Sequence, residues 1–474
     1  MVPARLVSVD PEDHPASILS DFRETLTESL EYTAAFTPAE FPALMKGLDP
    51  RWIDEALETT GTATMRRRRL PADRAVWLVL GMAVLRGWPI TTIVNQLELA
   101  MPSPSGLRTV APSTVVKARA RLGADPIEVL FTRSGDEWAH ASADRHRWRG
   151  LALYAVDGTT MRVADSDENR AHFGSHEAGA ERGVSGYPLM RGVVVMAVRS
   201  HLLAAATFGP YAVDERAYAR TLWSSVPNQS LVLIDRHYLQ ADVLVPLMTE
   251  GHDRHWMTRT KSTTQFRLIR NLGPGDDLVE MEVSHTAREK DPALPTHFDV
   301  RAIRYERKGY RPQCLLTSMA DAERFPAAEV RALYHERWEI ELGFGEIKTD
   351  LLERLETIRS KSPIAVAQEM WGILLVYNLV RLEMERIADE LGVAPIRISF
   401  VAALRSFVEL WLLGSKSPSP GAIPKQLAMI QDRVRRFVLP PRRPERVFPR
   451  AVKIKMSNYA RKRPTASSSK RRAK

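Results

Sequence analysis

The spacing of apolar positions divides the chain in two. Up to about residue 130 they recur at helical intervals. From residue 148 they gather into short runs of strand length. In the first part, residues 1–40 form a lead-in with one helix near Ala16–Tyr32, and FPALMKGLDPRWIDEALETTG gives short amphipathic segments. Pro71 opens a buried helix, ADRAVWLVLGMAVLRG, which Gly87 ends, and Pro89 leads into ITTIVNQLEL. A linker rich in Pro, Ser and Gly, MPSPSGLRTVAPS, precedes STVVKARARLG, where Ser113 is the expected N-cap.

In the second part, LALYAV reads as a strand ending at Asp157, and GVVVMAV and LLAAATF as a hairpin joined by RSH. ERAYARTLWSSV follows as a helix. LVLI is a wholly apolar strand ending at Asp235, then LQADVLVPLMTEG a helix and HWMTRTK a strand. Residues 262–320 alternate in polarity around Gly273-Pro274-Gly275, as short antiparallel strands do. Helices return with FPAAEVRALYHERWEIELGF, the long IAVAQEMWGILLVYNLVRLEMERIADELG ending at Gly392, and residues 398–415 and 422–437. Three strands, helix, strand, helix, strand is the order of a ribonuclease-H-like α/β core, an order that other α/β cores share.

The 474 residues exceed one compact core. The pattern divides them into an α-helical N-terminal domain (1–135), an α/β core (148–261 plus 321–395), a β-rich insertion (262–320), a C-terminal helical region (396–439) and a basic tail (440–474) expected to be disordered. A single cysteine, Cys314, excludes an intramolecular disulfide and a cysteine-rich zinc site. The apolar runs 75–85 and 370–380 are too short to span a bilayer and read as core helices. Residues 1–15 carry no apolar signal-peptide core, so a cytoplasmic protein without a membrane partner is expected.

Charge changes the picture. The net charge is +10, but residues 433–474 hold 16 Lys/Arg against one acid, Glu445, and residues 61–122 hold 10 against Asp73 and Glu98. Two basic segments flanking a more acidic middle suit a polyanion, although a solubilising tail would look the same. Lys117, Arg119 and Arg121 are exposed candidates for DNA contact, on a short basic helix that follows a helix and a break in helix-turn-helix outline. Arg66–Arg69 are further candidates.

The chemistry concentrates in YHERWEIELGFGEIK. On one α-helix, turning about 100° per residue, Tyr334, Arg337, Glu341 and Lys348 share a stripe about 60° wide. Leu333, Ile340, Phe344, Ile347 and Leu351 form the adjoining apolar face. Glu336, Glu339 and Glu346 point elsewhere and should be replaceable. An ordinary amphipathic helix with i,i+4 ion pairs would show the same stripe. What sets this one apart is company: two strand-end aspartates, Asp157 and Asp235, that Glu341 can join at one sheet edge. Such an oxygen donor set suits Mg²⁺ or Mn²⁺. Two ions would activate a water or hydroxyl and stabilise a leaving 3′ oxygen, with Arg337 and Lys348 on neighbouring phosphates. Tyr334 is placed to stack on a base or donate to a phosphate. His252 and His255 lack the further Cys or His partners a zinc site needs, and Asp165, Asp167 and Glu168 lie in a polar, loop-like stretch and read as solvated.

Tyr334, Arg337, Glu341 and Lys348 also match the Y-(2)-R-(3)-E-(6)-K signature, and the chain resembles the insertion-element-four family of bacterial DDE transposases. Asp157-Gly158-Thr159, Asp235-Arg236-His237-Tyr238, the segment RSKSP…AQEMWGILLVYNLVR and the N-terminal RRRRLPADRAVWLVLGMAVLRGWP resemble that family in the same order. The resemblance implies a ribonuclease-H-like catalytic core with a β-rich insertion. It implies Asp157, Asp235 and Glu341 as the catalytic and metal-holding acids for two Mg²⁺, and Tyr334, Arg337, Lys348 and Arg236 at the DNA. It implies an enzyme that binds the terminal inverted repeats of its element, cuts the ends and joins the 3′-OH to target DNA. In relatives this passes through a hairpin within a synaptic homodimer. His237 departs from the glycine often found there, which puts the shape of that loop in doubt. Trp256 and Trp338 are candidates to hold a flipped base. The residues leave open two alternatives: a transposase-derived DNA-binding protein without catalysis, and a metal-dependent nuclease that cuts without joining.

Overall fold

The computed structural model describes residues 48–63, 69–101, 109–175, 187–306, 312–354, 357–414, 432, 434 and 436–441. The lead-in helix near Ala16–Tyr32, Arg66–Arg68, most of the segment 422–437 and nearly all of the tail lie outside them.

The N-terminal segment is helical: α1 (Pro50–Thr59), α2 (Ala72–Val84), α3 (Ile90–Gln96), α4 (Pro112–Leu122) and α5 (Asp125–Ser134), the last passing through a π-helical turn into α6 (His140–Arg145). Asp49 caps α1 by accepting the Arg51 N–H. Helix α4 begins one residue before the expected cap Ser113. Pro112 takes the first helical position, where its missing N–H costs nothing, and Ala111 is the cap.

Beyond residue 150 the chain forms a ten-stranded mixed sheet. Its strands are β1 (Ala152–Val163), β2 (Leu189–Ala197), β3 (Leu203–Pro210), β4 (Ser230–Ile234), β5 (Arg254–Arg259), β6 (Arg267–Gly273), β7 (Asp276–Glu282), β8 (His297–Tyr305), β9 (Gln313–Thr317) and β10 (Thr357–Ile358). The order is β3-β2-β1-β4-β5-β9-β8-β7-β6, with β10 beside β1. Strands β1, β4 and β5 are parallel; the β2–β3 hairpin is antiparallel, with His201 in its turn. Short helices α7 (Asp167–Phe173), α8 (Glu215–Thr221), α9 (Ala241–Thr249) and α10 (His285–Lys290) join the strands, and α11 (Ala327–Leu333) and α12 (Trp338–Gly345) lead to the long α13 (Pro363–Leu391) and to α14 (Phe400–Gly414).

One expectation changes. Strand β1 does not end at Asp157: its pairing with β4 stops at Val156, but its pairing with β2 runs on to Arg162. The segment 262–320 forms antiparallel strands as expected, and β9 pairs with β5 and carries β8, β7 and β6 outward from the same sheet.

The sheet separates two apolar cores. Leu153 and Ala155 face one, with the N-terminal helices and α13; Tyr154 and Val156 face the other, with α8 and α9. Helix α13 is long and apolar enough to cross a bilayer, yet 78% of that window is buried inside the protein. Gly372 lets it press on α2: a Cβ there would stand 2.7 Å from Cγ1 of Val79. Beside this contact Glu369, buried, pairs with Arg86 and accepts the Ser360 N–H at 3.1 Å. Apolar residues of the N-terminal helices and of one face of the sheet therefore belong to one continuous core.

Candidate active site

Parallel register builds the site. Val156 stands opposite Ile234 in the last pair that β1 and β4 form. The next residues are Asp157 and Asp235, so both acids leave the strand pair in one rank. Strand alternation puts them on the side of Leu153, Ala155, Leu231 and Leu233, where Tyr334 and Ile340 pack. Leu233 in turn faces Met257 on β5, which brings Arg259 into the same rank. Oδ1 of Asp157 accepts the Gly158 N–H at 2.9 Å, and Oδ1 of Asp235 accepts the His237 N–H at 3.0 Å. Burial pushes the Asp157 carboxyl up to about 7; nearby Glu215 and Glu341 push the same way, against the Gly158 N–H and Arg337.

The segment over this rank is not one α-helix. Tyr334–Arg337 is a 3₁₀ turn, Trp338–Gly345 is α-helical, and Glu346–Leu351 is a π-helical turn. The expected apolar face holds: Leu333, Ile340, Ile347 and Leu351 are buried, and Phe344 packs against them. The π turn lies where Glu346 is drawn inward. Its Oε2 accepts the Tyr377 hydroxyl at 2.7 Å and pairs with Arg381, beside His201. Burial opposes its charge, but Arg381 and His201 hold its carboxyl down at about 2. Glu339 is buried against His201, 2.9 Å away, and Glu336 pairs with Arg199. All three point away from the rank, as expected, but Glu339 and Glu346 are buried partners rather than dispensable surface acids.

Arg337 donates to Oε1 of Glu341 at 2.9 Å. The Lys348 ammonium donates to the Thr160 carbonyl at 3.0 Å, on β1 just past Asp157. The Tyr334 hydroxyl donates to the Ile234 carbonyl at 3.4 Å. Its ring is 5% exposed, which leaves no face for a base. Arg236 and His237 are exposed on the 3₁₀ turn after Asp235. His237 is not among the residues with positive φ, so this turn does not demand glycine. Among the described residues no three His, Cys, Asp or Glu side chains already converge at metal-binding separations. The acids around the rank are nonetheless all hard oxygen donors, as Mg²⁺ and Mn²⁺ prefer.

A family model for the insertion element 4 transposase N-terminal region matches residues 38–132, and one for the transposase DDE domain matches residues 148–379. The transposase InsG for insertion sequence element IS4 of Escherichia coli K12 is 39% identical over 413 residues, which is 87% of this chain and 92% of InsG. The chain belongs to the insertion element 4 family of DDE transposases. The putative transposase InsZ of the same organism is 35% identical over 268 residues, covering 54% of this chain and 88% of InsZ. Among solved structures, a piggyBac transposase synaptic complex with hairpin DNA aligns over 86% of this chain and 87% of its own, at TM-score 0.40 and 10% identity.

Within this DDE transposase, several sequence candidates are relocated. Arg119 is not an exposed cation: it donates to Gln368 Oε1 at 2.8 Å, Ser360 Oγ at 3.0 Å and the Ala365 carbonyl at 3.2 Å. Lys117 and Arg121 are exposed on α4. Trp256 is fully buried in β5 and cannot receive a flipped base; Trp338 is 45% exposed with the Arg337 guanidinium over its ring. Asp165 pairs with Arg170 at the start of α7, and His255 is taken by Asp253 at 2.9 Å. Sequence reading missed two neighbours of the rank. Arg259 ends a strand parallel to that of Asp235, and the strand-end rule that selected the aspartate selects it too. Glu215 had no cue, because only the tertiary fold brings it beside Asp157.

Proposed function

We propose that this transposase binds the terminal inverted repeats of its own element, cleaves the ends and joins the freed 3′-OH to target DNA by two-metal phosphoryl transfer. The observation that carries this is the Asp157–Asp235 rank under the segment that bears Glu341, Arg337 and Lys348. Strand order β3-β2-β1-β4-β5 supports reading the core as ribonuclease-H-like, with residues 262–320 as its β-rich insertion. The N-terminal helices and residues 440–474 are the DNA-gripping regions in this reading.

Asp157, Asp235 and Glu341 would hold the metal. Two Mg²⁺, with Mn²⁺ as a substitute, would supply an activated water or 3′-OH and stabilise the leaving oxygen. The chain's own residues do the rest. Arg337 orients Glu341 through its guanidinium, and Lys348 and Arg236 neutralise phosphates beside the scissile one. Lys117 and Arg121 contribute phosphate contacts on α4. Tyr334 acts through its hydroxyl at the Ile234–Asp235 turn. The work is done by a homodimer in the synaptic complex, in the cytoplasm, through a hairpin step.

The test is direct. Linear DNA bearing the element's end is incubated with Mg²⁺ and either wild-type protein or Glu341→Gln. The expected result is cleavage by the wild type, and binding without cleavage by the variant. Equal cleavage by both would overturn the assignment.

A further inference from the structure

Two short motifs meet on the far side of the sheet from the acids. Gly158 follows Asp157, and Tyr238 lies three residues after Asp235. Glu215, at the start of α8, fits between them. A Cβ on residue 158 would lie 2.2 Å from Cδ of Glu215, so the carboxyl packs flat on the glycine backbone. The Tyr238 hydroxyl donates to Oε1 of Glu215 at 2.6 Å. The ring is fully buried, and burial with the adjacent carboxylates keeps the phenol protonated, fixing it as the donor. Each end of this bridge is tied to an active-site acid. Gly158 N–H donates to Asp157 Oδ1, and Tyr238 N–H donates to the Asp235 carbonyl at 3.1 Å.

We propose that Glu215 and Tyr238 form a clasp that sets the separation of Asp157 and Asp235, making them positioning residues for the metal-holding carboxylates. The clasp gives one physical reason for both motifs: glycine at 158 makes room for Glu215, and a hydroxyl-bearing aromatic at 238 holds it there. Strands β1 and β4 stop pairing at Val156 and Ile234, so no ladder hydrogen bond between these two strands constrains the acids themselves. The clasp supplies the missing cross-link. Two carboxylates that must share cations are sensitive to their spacing, and groups that orient such ligands commonly change metal affinity or activity by about 10-fold or more when removed.

The proposal rests on the metal-dependent reading above, and the experiment separates the two. Mn²⁺ binding to the full-length protein is measured by calorimetry, alongside end-DNA cleavage as a function of Mn²⁺ and end-DNA binding without metal. Asp157→Asn is the control: if it binds Mn²⁺ and cleaves as the wild type does, the metal reading itself fails. With that control behaving, Tyr238→Phe and Glu215→Ala are expected to weaken Mn²⁺ binding and raise the half-saturating Mn²⁺ concentration by about 10-fold. DNA binding without metal stays unchanged. Glu215→Gln keeps an acceptor for Tyr238 and is expected to stay within about 2-fold of wild type. Gly158→Ala is expected to be defective, and adding Glu215→Ala to it should restore part of the activity by removing the clash. Unchanged Mn²⁺ dependence in Tyr238→Phe would overturn the clasp. So would a Glu215→Gln as defective as Glu215→Ala, because charge and not positioning would then be the cause.

Discussion

Arg337, the last residue of the 3₁₀ turn, reaches onto the following helix to hold Oε1 of Glu341 at 2.9 Å, from a side chain that is only 4% exposed. The arginine of the signature is thus a fixed support for the glutamate. Its rigid planar fork sets the carboxylate's direction, which a lysine ammonium cannot do. Arg337→Lys is expected to lower end cleavage about 10-fold or more while the circular dichroism spectrum stays that of the wild type. Wild-type cleavage rates in this variant would show that charge alone suffices.

The Asp157 carboxyl yields a pH signature in the metal-free protein. Burial raises it from an ordinary 3.8 to about 7, so between those values the folded state holds a proton that the unfolded state has lost. The stability this contributes is fully present below pH 3.8 and is lost as pH rises through about 7. Asp157→Asn should therefore flatten the fall in stability over that window, read as denaturation midpoints at several pH values. Parallel wild-type and variant curves would refute it.

Two basic residues on α4, two positions apart in sequence, should behave oppositely. Arg119→Ala removes bonds to Gln368, Ser360 and the Ala365 carbonyl, and should cost about 2–4 kcal/mol in urea denaturation. Lys117→Ala should change stability by no more than about 0.5 kcal/mol and weaken DNA binding alike on all sequences.

That contrast shows what the sequence could and could not reveal. The succession of strands and helices, the β2–β3 hairpin, the long helix capped by Gly392 and the placing of Asp157 and Asp235 directly after apolar runs all follow from local patterns of apolar runs and turn residues. Helix α4 itself was legible, but which of its cations faces α13 depends on packing between segments far apart in sequence. The same holds for the breaks in the catalytic segment: a helical wheel assumes a constant turn, while buried Arg381 and Tyr377 on another helix engage Glu346 inside a π turn. Glu215 was invisible because nothing in its own neighbourhood marks it.

The acids of the catalytic segment can be ranked by what they touch. Glu346→Ala strands Arg381, 1% exposed, and should cost about 3–5 kcal/mol. Glu336→Ala loses only a half-exposed pair with Arg199, worth about 0–1 kcal/mol. Chemical denaturation of the two variants decides it; equal midpoints would contradict the buried network.

Deleting residues 440–474 tests the tail. If its cations meet phosphates, the truncated protein will show a shallower dependence of end-DNA affinity on salt, each lost contact removing about 0.9 from the logarithmic slope. Identical slopes would exclude the tail as a contact.

Helix α13 carries two polar clamps on one rod. Glu369 holds Arg86 of the N-terminal segment, and Arg381, twelve residues on, holds Glu346 of the catalytic segment. A straight helix sets those clamps about 18 Å apart. The N-terminal segment and the catalytic segment are thereby held at a fixed interval along one helix. The two segments are fastened to one rigid body, and neither can shift against the other unless that rod bends or a clamp opens.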